Sequence, residues 1–381
     1  MRIVVIGSGV IGASIAYHLA RAGAGVALVD RSGPAAMPSA SWASAGGLRS
    51  QGRHAPEHAI TKAAALRWTT LADELEADLE VSLGGHLHIA ETAEEAAAVE
   101  ARLAGDRAAG IAVARLEGAA LRAAAPCLTP KAVLGAFSAG DGQAHPGRTA
   151  IAFAQAAARH GATCHFGQAA RLRLVGDRAT GVVLQDGGEL DGDRVVLAAG
   201  AWSVAMLADL GLDLPLRWRG LQMLLSDVAT PLLAPTVTAV GRNLSLKQSP
   251  SGQMMVGGRW FARPLGDRPA VEPIDAHVAR QWSSAVAVVP AMARLKLAQV
   301  WAGVEAQTLD SLPLIGPAGP AGLYLATGFS NHGFQIAPEI GRLAAADMLE
   351  RPQPVLEAFR VGRAMAGSDR AATFKAESCL L

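Results

Sequence analysis

Cysteine, aromatic residues and excess charge of either sign are all scarce in this chain of 381 residues. The three cysteines, Cys127, Cys164 and Cys379, have no C-x-x-C spacing, so the sequence indicates neither a disulfide framework nor a zinc site. We therefore expect a reducing, cytoplasmic location. A net charge of +1, from 34 Lys plus Arg against 33 Asp plus Glu, provides no field that would gather nucleic acid or an anionic membrane surface.

Long apolar runs are also lacking, since no uncharged run reaches the roughly 20 residues that a membrane-spanning helix needs. The apolar N-terminus superficially resembles a secretory signal, but its glycines fit a strand-turn-helix unit better. The chain is 51% hydrophobic and long enough for one large core or two moderate ones. These features predict a two-domain protein that binds a small molecule.

Glycine is abundant, and the first cluster has a recognisable spacing. Residues Ile3–Ile6 predict a strand buried on both faces of a parallel sheet, and Gly7, Gly9 and Gly12 after it match G-x-G-x-x-G. A helix over Ala13–Ala22 would aim its N-terminal N–H groups, with those of Val10 and Ile11, at a pyrophosphate. The sequence therefore predicts a site for a dinucleotide cofactor.

Asp30 ends the second predicted strand, Val26–Val29, and lies 18 residues after Gly12. An acid at this distance accepts both ribose hydroxyls of an adenosine. It would repel the 2′-phosphate of NADP, which leaves NAD and FAD as candidates.

The rest of the chain favours FAD over NAD. After Asp30 comes a long polar stretch of small residues, where an NAD-binding domain would proceed quickly to its third strand. Near the other end, a strand over residues 322–326, a glycine-hinged loop and a helix over Pro338–Leu349 would bring a second helix N-terminus to the ligand. Reduced flavin gains negative charge that such a terminus stabilises, whereas nicotinamide does not.

Five segments in this order resemble the D-amino acid oxidase, glycine oxidase and sarcosine oxidase family of FAD-dependent oxidoreductases. They are GSGVIG with Asp30, SASWASAGG at 39–47, RVVLAAGAWS at 194–203, WAGVEAQTLDSLPLIGP at 301–317 and GLYLATGFSNHGFQIAP at 322–338. The WAGVE and FSNHGFQ segments are most similar to those of catalytic subunits of heteromeric dehydrogenases for proline, hydroxyproline or opines. A second G-x-G-x-x-G, which two-nucleotide flavoenzymes use for NADPH, is not present in the sequence.

The resemblance covers the whole chain and implies an α/β fold. It predicts a Rossmann-like FAD-binding domain of the glutathione-reductase type, formed by residues 1–84, 141–215 and 300–381. A second, α+β substrate domain, built on an antiparallel sheet, would comprise residues 85–140 and 216–299. The implied FAD contacts are Gly7, Gly9, Val10, Ile11, Gly12, Asp30, Arg31, Ser39, Ser41, Ser44, Ala45, Gly46, Gly47, Leu48, Ala169, Ala199, Gly200, Trp202, Gly328, Ser330, Asn331, His332, Gly333, Phe334 and Gln335.

The implied reaction is hydride transfer from the carbon of a C–N bond to flavin N5, which gives an imine that water hydrolyses. The D-amino acid oxidase branch commonly has an arginine where this chain has Glu305, which would suit a substrate ammonium or guanidinium group. Sarcosine oxidase-like relatives instead use an arginine just after the glycine loop, where this chain has Arg49 and Arg53, which would share a face if that region is helical. The resemblance favours Arg49 as the contact to a substrate carboxylate or to the flavin edge. A solvated basic surface is the alternative.

His332 is the third candidate for the chemistry, as a hydrogen-bond donor to flavin or substrate; a structural loop histidine is the alternative. Sarcosine oxidases bind FAD through a cysteine before the C-terminal loop, but no cysteine lies between residues 165 and 378, so we expect noncovalent FAD. His54, His58, His86 and His88 have no metal-ligand spacing, and no metal is expected. Electrons would pass to oxygen or to a partner subunit, and a homodimer is also compatible with the sequence.

Two other functions remain open at this point. An NAD-dependent dehydrogenase would use the same first motif. A non-catalytic flavoprotein subunit is the other, because Glu305 departs from the arginine of the oxidases.

Overall fold

The computed structural model describes residues 1–363 and Phe374, and it has a mixed α/β architecture. Two large sheets organise these residues, one of six strands and one of eight. The strands are β1 (Arg2–Ile6), β2 (Gly25–Asp30), β3 (Gly47–Leu48), β4 (His86–Ala90), β5 (Ala114–Leu116), β6 (Leu134–Ser138), β7 (Gly142–Gln143), β8 (Thr163–Phe166), β9 (Ala170–Leu174), β10 (Ala179–Leu184), β11 (Glu189–Asp191), β12 (Arg194–Leu197), β13 (Leu216–Val228), β14 (Thr236–Ala239), β15 (Ser245–Gln248), β16 (Gln253–Gly257), β17 (Arg263–Pro264), β18 (Val271–Glu272), β19 (Leu297–Thr308), β20 (Leu314–Pro317) and β21 (Leu323–Thr327).

Ten α-helices lie within the same described residues. They are α1 (Val10–Arg21), α2 (Ala40–Ala43), α3 (His58–Trp68), α4 (Leu71–Leu75), α5 (Ala93–Ala108), α6 (Gly118–Ala124), α7 (Pro146–Arg159), α8 (Ser203–Asp209), α9 (Asp275–Val288) and α10 (Gly333–Met348). The first helix begins at Val10, three residues before the expected start, and α10 begins at Gly333, five residues before Pro338. Both helix N-termini are thus closer to their glycine loops than the sequence indicated.

The six-stranded sheet has the order β20-β21-β12-β1-β2-β8, and all neighbours except β20 and β21 run parallel. Its central strands are apolar and buried on both faces, as expected for a sheet covered by helices. On one face α1 packs between α7 and α10. The contact with α10 is close because Gly341 has no side chain where a Cβ would lie 2.1 Å from Ser14 Oγ.

A three-stranded antiparallel sheet, β11-β10-β9, packs its apolar side against the six-stranded sheet. Its strands are joined by the turns predicted around residues 176–177 and 186–188. Together the two sheets form the Rossmann-like architecture predicted for the cofactor domain.

The eight-stranded sheet has the order β19-β13-β16-β15-β14-β4-β6-β5. It is antiparallel as predicted, except that β4 and β14 run parallel. One face packs on α6 and α9 through apolar residues such as Leu87, Leu246 and Val256. The other face includes polar side chains and lies towards the cofactor domain, where Gly303 on β19 meets Ala43 of α2.

Strand β19 pairs with β13 from Leu297 to Thr308 and therefore crosses the predicted domain boundary at residue 300. Its last residues reach the loop after β21, where the backbone N–H of Ser330 donates to the carbonyl of Ala306. The division of the chain into two domains remains a prediction, and this strand belongs to both of the expected units.

Candidate active site

The glycine turn after β1 has the geometry that a pyrophosphate requires. Gly7 has a φ of +103°, and a Cβ at Gly12 would lie 1.9 Å from the carbonyl oxygen of Gly7, so both positions need glycine. A Cβ at Gly9 would meet only Ser41 Oγ, 3.2 Å away, among the described residues. Helix α1 begins at Val10, whose N–H donates to Ser41 Oγ, and the positive end of its dipole faces the space in front of the turn.

Asp30 closes the turn from the neighbouring strand. One carboxylate oxygen accepts the backbone N–H of Ser8 at 2.7 Å, and the other accepts those of Ser32 and Gly33, each at 2.9 Å. These bonds fix the carboxylate at the end of β2 and use three of its four acceptor positions, which leaves one for a ribose hydroxyl. The residues around Ser8 and Asp30 therefore fit the adenosine half of FAD.

The small residues after Asp30 form part of the same surface. Ser39 caps α2 by accepting the N–H of Trp42, and Ser41 Oγ accepts the N–H of Val10 at 2.9 Å. Gly46, with a φ of +67°, packs against the carbonyl of Ala144. No described atom lies within 4 Å of a Cβ built on Gly47. This open, small-residue wall can accommodate a flat ring, and it includes Ser44, Ala45 and Leu48.

The remaining predicted contacts lie at the ends of two further strands. Ala199 and Gly200 follow β12, and Gly200 has a φ of +53° with open space beside it among the described residues. The guanidinium of Arg31 lies 5.5 Å from the ring centre of Trp202. Ala169 lies exposed between β8 and β9, next to Gln168, whose N–H donates to the carbonyl of Asp30.

The C-terminal loop leads directly into helix α10. Gly328, Ser330 and Asn331 all have positive φ values, of 75°, 48° and 69°. Two consecutive non-glycine residues in this region are unusual, and such conformations cluster at functional sites. Ser330 Oγ accepts the N–H of Thr308 at 3.1 Å, so the loop is held on the end of β19.

Helix α10 provides the second N-terminus that the sequence predicted. It has no side-chain cap at His332, and its first turn contains the buried residues Phe334 and Gln335. Sixteen residues of aligned peptide dipoles place partial positive charge at Gly333. This end of the helix is suited to negative charge on the pyrimidine edge of a reduced flavin.

Glu305 lies buried on β19, on the side that faces the cofactor domain. Its carboxylate accepts a hydrogen bond from Nε2 of Gln307 at 2.6 Å and another from the backbone N–H of Asn331. Burial raises the pKa of Glu305 to about 7, against the opposing effects of these two hydrogen bonds and of Arg259. The carboxyl group is therefore poised between its neutral and charged forms near neutral pH.

Arg49 and Arg53 lie in an irregular segment before α3, so the expected helical face is not present. The guanidinium of Arg49 donates to the carbonyls of Gln51 and Gly52, at 2.5 and 3.2 Å. Nε of Arg53 donates to the carbonyl of Arg49 at 2.9 Å, while its buried Nη1 has no partner among the described residues. Arg49 thus organises its own loop, and its predicted contact with flavin or substrate remains a prediction.

His332 pairs with Glu57, a residue that the sequence did not single out. Nδ1 of His332 lies 3.1 Å from a carboxylate oxygen of the fully buried Glu57. Burial, with the nearby charge of Arg53, lowers the pKa of His332 to about 4 despite this pairing. At neutral pH the imidazole is neutral and its Nδ1–H donates to Glu57, which fixes the tautomer.

The same corner brings together three possible metal ligands, on His54, Glu57 and His332, within 4.8 Å of one another. No local pattern indicates this grouping, because His332 is about 275 residues from the other two. The charges of Arg49 and Arg53 lower the pKa of His332 and oppose a cation in the same place. We therefore assign this corner to hydrogen bonding.

Two further carboxylates hold the backbone on either side of Gln51, in the segment that carries Arg49 and Arg53. Asp106, on α5, accepts the N–H of Gly52 at 2.8 Å, and Asp141 accepts that of Ser50 at 2.8 Å. Because buried carboxylates on different elements hold its backbone, the segment that carries Arg49 is firmly placed.

The fold and these loops define a protein that binds a flavin dinucleotide. The sequence profile of the family named "FAD dependent oxidoreductase" (DAO) matches residues 2–347. The chain therefore belongs to this family, and its cofactor is FAD. Among the described residues, none of the helices has the length and apolar character needed to cross a membrane.

Several curated relatives are similar in sequence. Glycine oxidase of Geobacillus kaustophilus is 28% identical over 365 residues, which cover 93% of this chain and 94% of that protein. Glycine oxidase of Pseudomonas aeruginosa is 34% identical over 183 residues, or 48% of each chain, so the match spans about half the length of that relative. D-amino acid dehydrogenase of Cereibacter sphaeroides is 27% identical over 422 residues and covers 95% of this chain and 94% of that protein.

Solved structures of similar fold include glycine oxidase from Geobacillus kaustophilus, with a TM-score of 0.86 and 26% identity over 96% of this chain and all of that one. L-proline dehydrogenase from P. horikoshii superposes with a TM-score of 0.87 at 23% identity, over 95% of this chain and 97% of that one. These similarities confirm the fold and the cofactor that the motifs predicted.

Proposed function

We propose that this chain oxidises the carbon–nitrogen bond of an amino acid, of the D-, cyclic or N-substituted type. The observation that carries the proposal is a convergence at one edge of the six-stranded sheet. Strands β1, β12 and β21 run parallel, so the loops that follow them, at Gly7, Ala199 and Gly328, lie at the same edge. Ligands of open parallel sheets bind at the carboxyl ends of the strands.

FAD, when bound there, supplies the two-electron acceptor. The bound cofactor would accept the hydride of the substrate C–H bond, and the lone pair of the nitrogen would form the second bond of an imine. Water then converts the imine to a carbonyl compound and an amine. The protein positions the C–H bond and favours the neutral amine, so no dedicated general base is required. The hydrogen bonds of Glu305 and the helix N-terminus at Gly333 support this positioning role.

Anaerobic addition of D-, L-, cyclic and N-alkyl amino acids to the purified FAD-loaded protein tests the proposal. A substrate should bleach the visible absorption of the oxidised flavin. If no amino acid or amine bleaches it, the alternative of a non-catalytic flavoprotein subunit is favoured.

The route of the electrons is a second proposal. Sarcosine oxidase subunit beta from Arthrobacter sp. is 30% identical over 168 residues, 44% of this chain, which supports a role as the catalytic subunit of a heteromeric dehydrogenase. The isolated chain should then be reduced rapidly by its substrate but form peroxide slowly. Rapid peroxide formation by the chain alone would favour an oxidase instead.

FAD is expected to be held without a covalent bond. Described cysteines lie at positions 127 and 164, both free thiols, and the sequence has none between residues 165 and 378. Acid precipitation should therefore leave the yellow colour in the supernatant. Colour in the pellet would contradict this expectation.

A further inference from the structure

Lys247 is a buried cation on the eight-stranded sheet, with 5% of its surface exposed. It lies in β15, which four consecutive residue pairs join to β16 without a bulge, and its own partner there is Met255. The preceding residue, Leu246, is paired with Val256, and both belong to the apolar core on the side of α9. Side chains alternate between the two faces of a strand, so Lys247 projects from the other face, which lies towards the cofactor domain.

A second polar group without a partner lies opposite Lys247. The antiparallel pairing of Val237 with Leu246 sets Thr236, on β14, opposite Lys247. Val237 belongs to the same apolar core as Leu246, so Thr236 and Lys247 share the other face. The hydroxyl oxygen of Thr236 is buried and has no hydrogen-bond partner among the described residues, and the ammonium of Lys247 forms neither a hydrogen bond nor an ion pair with them. Two buried donors thus lie side by side.

The ammonium of Lys247 is in an unfavourable environment unless a ligand joins it. Burial lowers the pKa of Lys247 to about 7, and the charge of Glu80 acts in the opposite direction. Glu80 forms its ion pair with Arg148 instead, at 2.9 Å. Buried polar groups need a hydrogen-bond partner, and buried charges need a counter-charge. An anion between Lys247 and Thr236 would provide both.

The two donors lie close to the small-residue wall that contains Gly47. Gln143, in β7, is paired with Gly47, and its Nε2 donates to the carbonyl of Gln248 at 2.6 Å. Gln248 directly follows Lys247, so one side chain links the strand that carries Lys247 to the partner of Gly47. No described atom lies within 4 Å of a Cβ built on Gly47. Open space at the predicted flavin wall is therefore near the two donors.

We propose that Lys247 and Thr236 bind the carboxylate of the substrate, with Lys247 supplying the positive charge. The inference rests on the proposed function and narrows its substrate class to amino acids with a free carboxylate, as against simple amines. An ammonium has three N–H donors and a hydroxyl has one, so the pair can donate to both carboxylate oxygens. Lys247 then takes the role that the sequence suggested for Arg49, whose guanidinium donates to carbonyls of its own loop.

Calorimetric titration of the FAD-loaded protein with matched acids and amides tests the proposal. Acetate, benzoate and 2-furoate carry the charge, and acetamide, benzamide and 2-furamide have nearly the same shape without it. At least one acid should bind the wild-type protein more tightly than its amide. Lys247→Met keeps the length of the side chain and should weaken binding of that acid by about 10- to 100-fold, the effect of losing a charged hydrogen bond. Binding of the amide should be unchanged.

Thr236→Val is a second variant that removes only the hydroxyl, and no described residue depends on that group. It should weaken binding of the acid by a smaller factor, about 2- to 10-fold, because the hydroxyl brings no charge. Lys62→Met is the matched control, because Lys62 lies exposed on α3 and donates to the carbonyl of Ala109 at 2.9 Å. It should bind every acid and amide as the wild-type protein does.

The proposal is overturned if no acid binds the wild-type protein more tightly than its amide, or if Lys247→Met keeps the wild-type preference. Should Lys247→Met fail to retain FAD, wild-type affinity of Thr236→Val for the acids would overturn it. Loss of the preference in Arg49→Gln or Arg53→Gln, with Lys247→Met unaffected, would assign the carboxylate to the segment before α3. These results would leave the proposed function intact, since that fails only if no amino acid or amine reduces the bound flavin.

Discussion

Nδ1 of His332 lies 3.1 Å from a carboxylate oxygen of Glu57, and this contact joins the loop before α10 to the start of α3. The pair is buried, and Arg53 and Arg49 add positive charge around the imidazole. His332 therefore stays neutral at physiological pH, and its Nε2 is left as a hydrogen-bond acceptor. The donor role towards flavin or substrate that the sequence suggested for His332 would need the other tautomer, and it remains a prediction.

The lowered pKa of His332 predicts a pH-dependent stability. The pKa falls from 6.5 to about 4 on folding, so the folded state binds fewer protons than the unfolded state between these values. The free energy of unfolding should decrease as the pH falls through this window, by on the order of 2 to 3 kcal/mol. Urea unfolding of His332→Gln should show a weaker decrease than the wild-type protein, and equal slopes would contradict the lowered pKa of His332.

The raised pKa of Glu305 predicts the opposite dependence of stability on pH. Its pKa rises from 4.5 to about 7 on folding, so the folded state binds more protons than the unfolded state between these values. Wild-type stability should fall, relative to Glu305→Gln, as the pH rises from about 4.5 to about 7, by about 3 kcal/mol in total. Thermal unfolding of both proteins over this range measures the difference, and a constant gap between them would refute the raised pKa.

Asp30 should determine FAD affinity. Asp30→Ala removes an acceptor predicted for the ribose and should weaken FAD binding to the apoprotein by about 10- to 100-fold. Asp186→Ala is the control, because Asp186 accepts only the N–H of Gly188 in an exposed turn. Fluorescence titration with FAD compares the two variants, and equal affinities would remove Asp30 from the site.

Gly12→Ala should disrupt the cofactor turn, since the added methyl group would lie 1.9 Å from the carbonyl oxygen of Gly7. We expect loss of bound FAD together with a lower melting temperature. Gly105→Ala is matched in chemistry but has open space around it in α5 among the described residues. It should be stabilising by about 0.5 to 1 kcal/mol, because alanine is the better helix former. An FAD-loaded Gly12→Ala protein of normal stability would contradict the assignment.

The sequence predicted best the features that depend on local spacing. The turn that begins at Gly7, with its acid at Asp30, needs only neighbouring residues, and the structure has strand, turn, helix and acid in the expected order. The start of α10 was misplaced because proline is favoured in the first helical turn. In the structure Pro338 lies inside the helix, where His18 and Trp68 contact the carbonyls of Pro338 and Gln335.

Features set by long-range pairing were not predictable. The parallel alignment of β4 with β14 joins residues about 150 positions apart, and no local pattern encodes it. Glu57 was missed for the same reason, since its partner is 275 residues away.

Strand β19 carries Glu305 and ends against the loop that leads into α10. The carboxyl group proposed to position the substrate and the loop predicted to contact flavin thus share one piece of backbone. Replacement of Glu305 would also remove the acceptor for the N–H of Asn331. We therefore expect a change of specificity at position 305 to shift the redox potential of the cofactor as well.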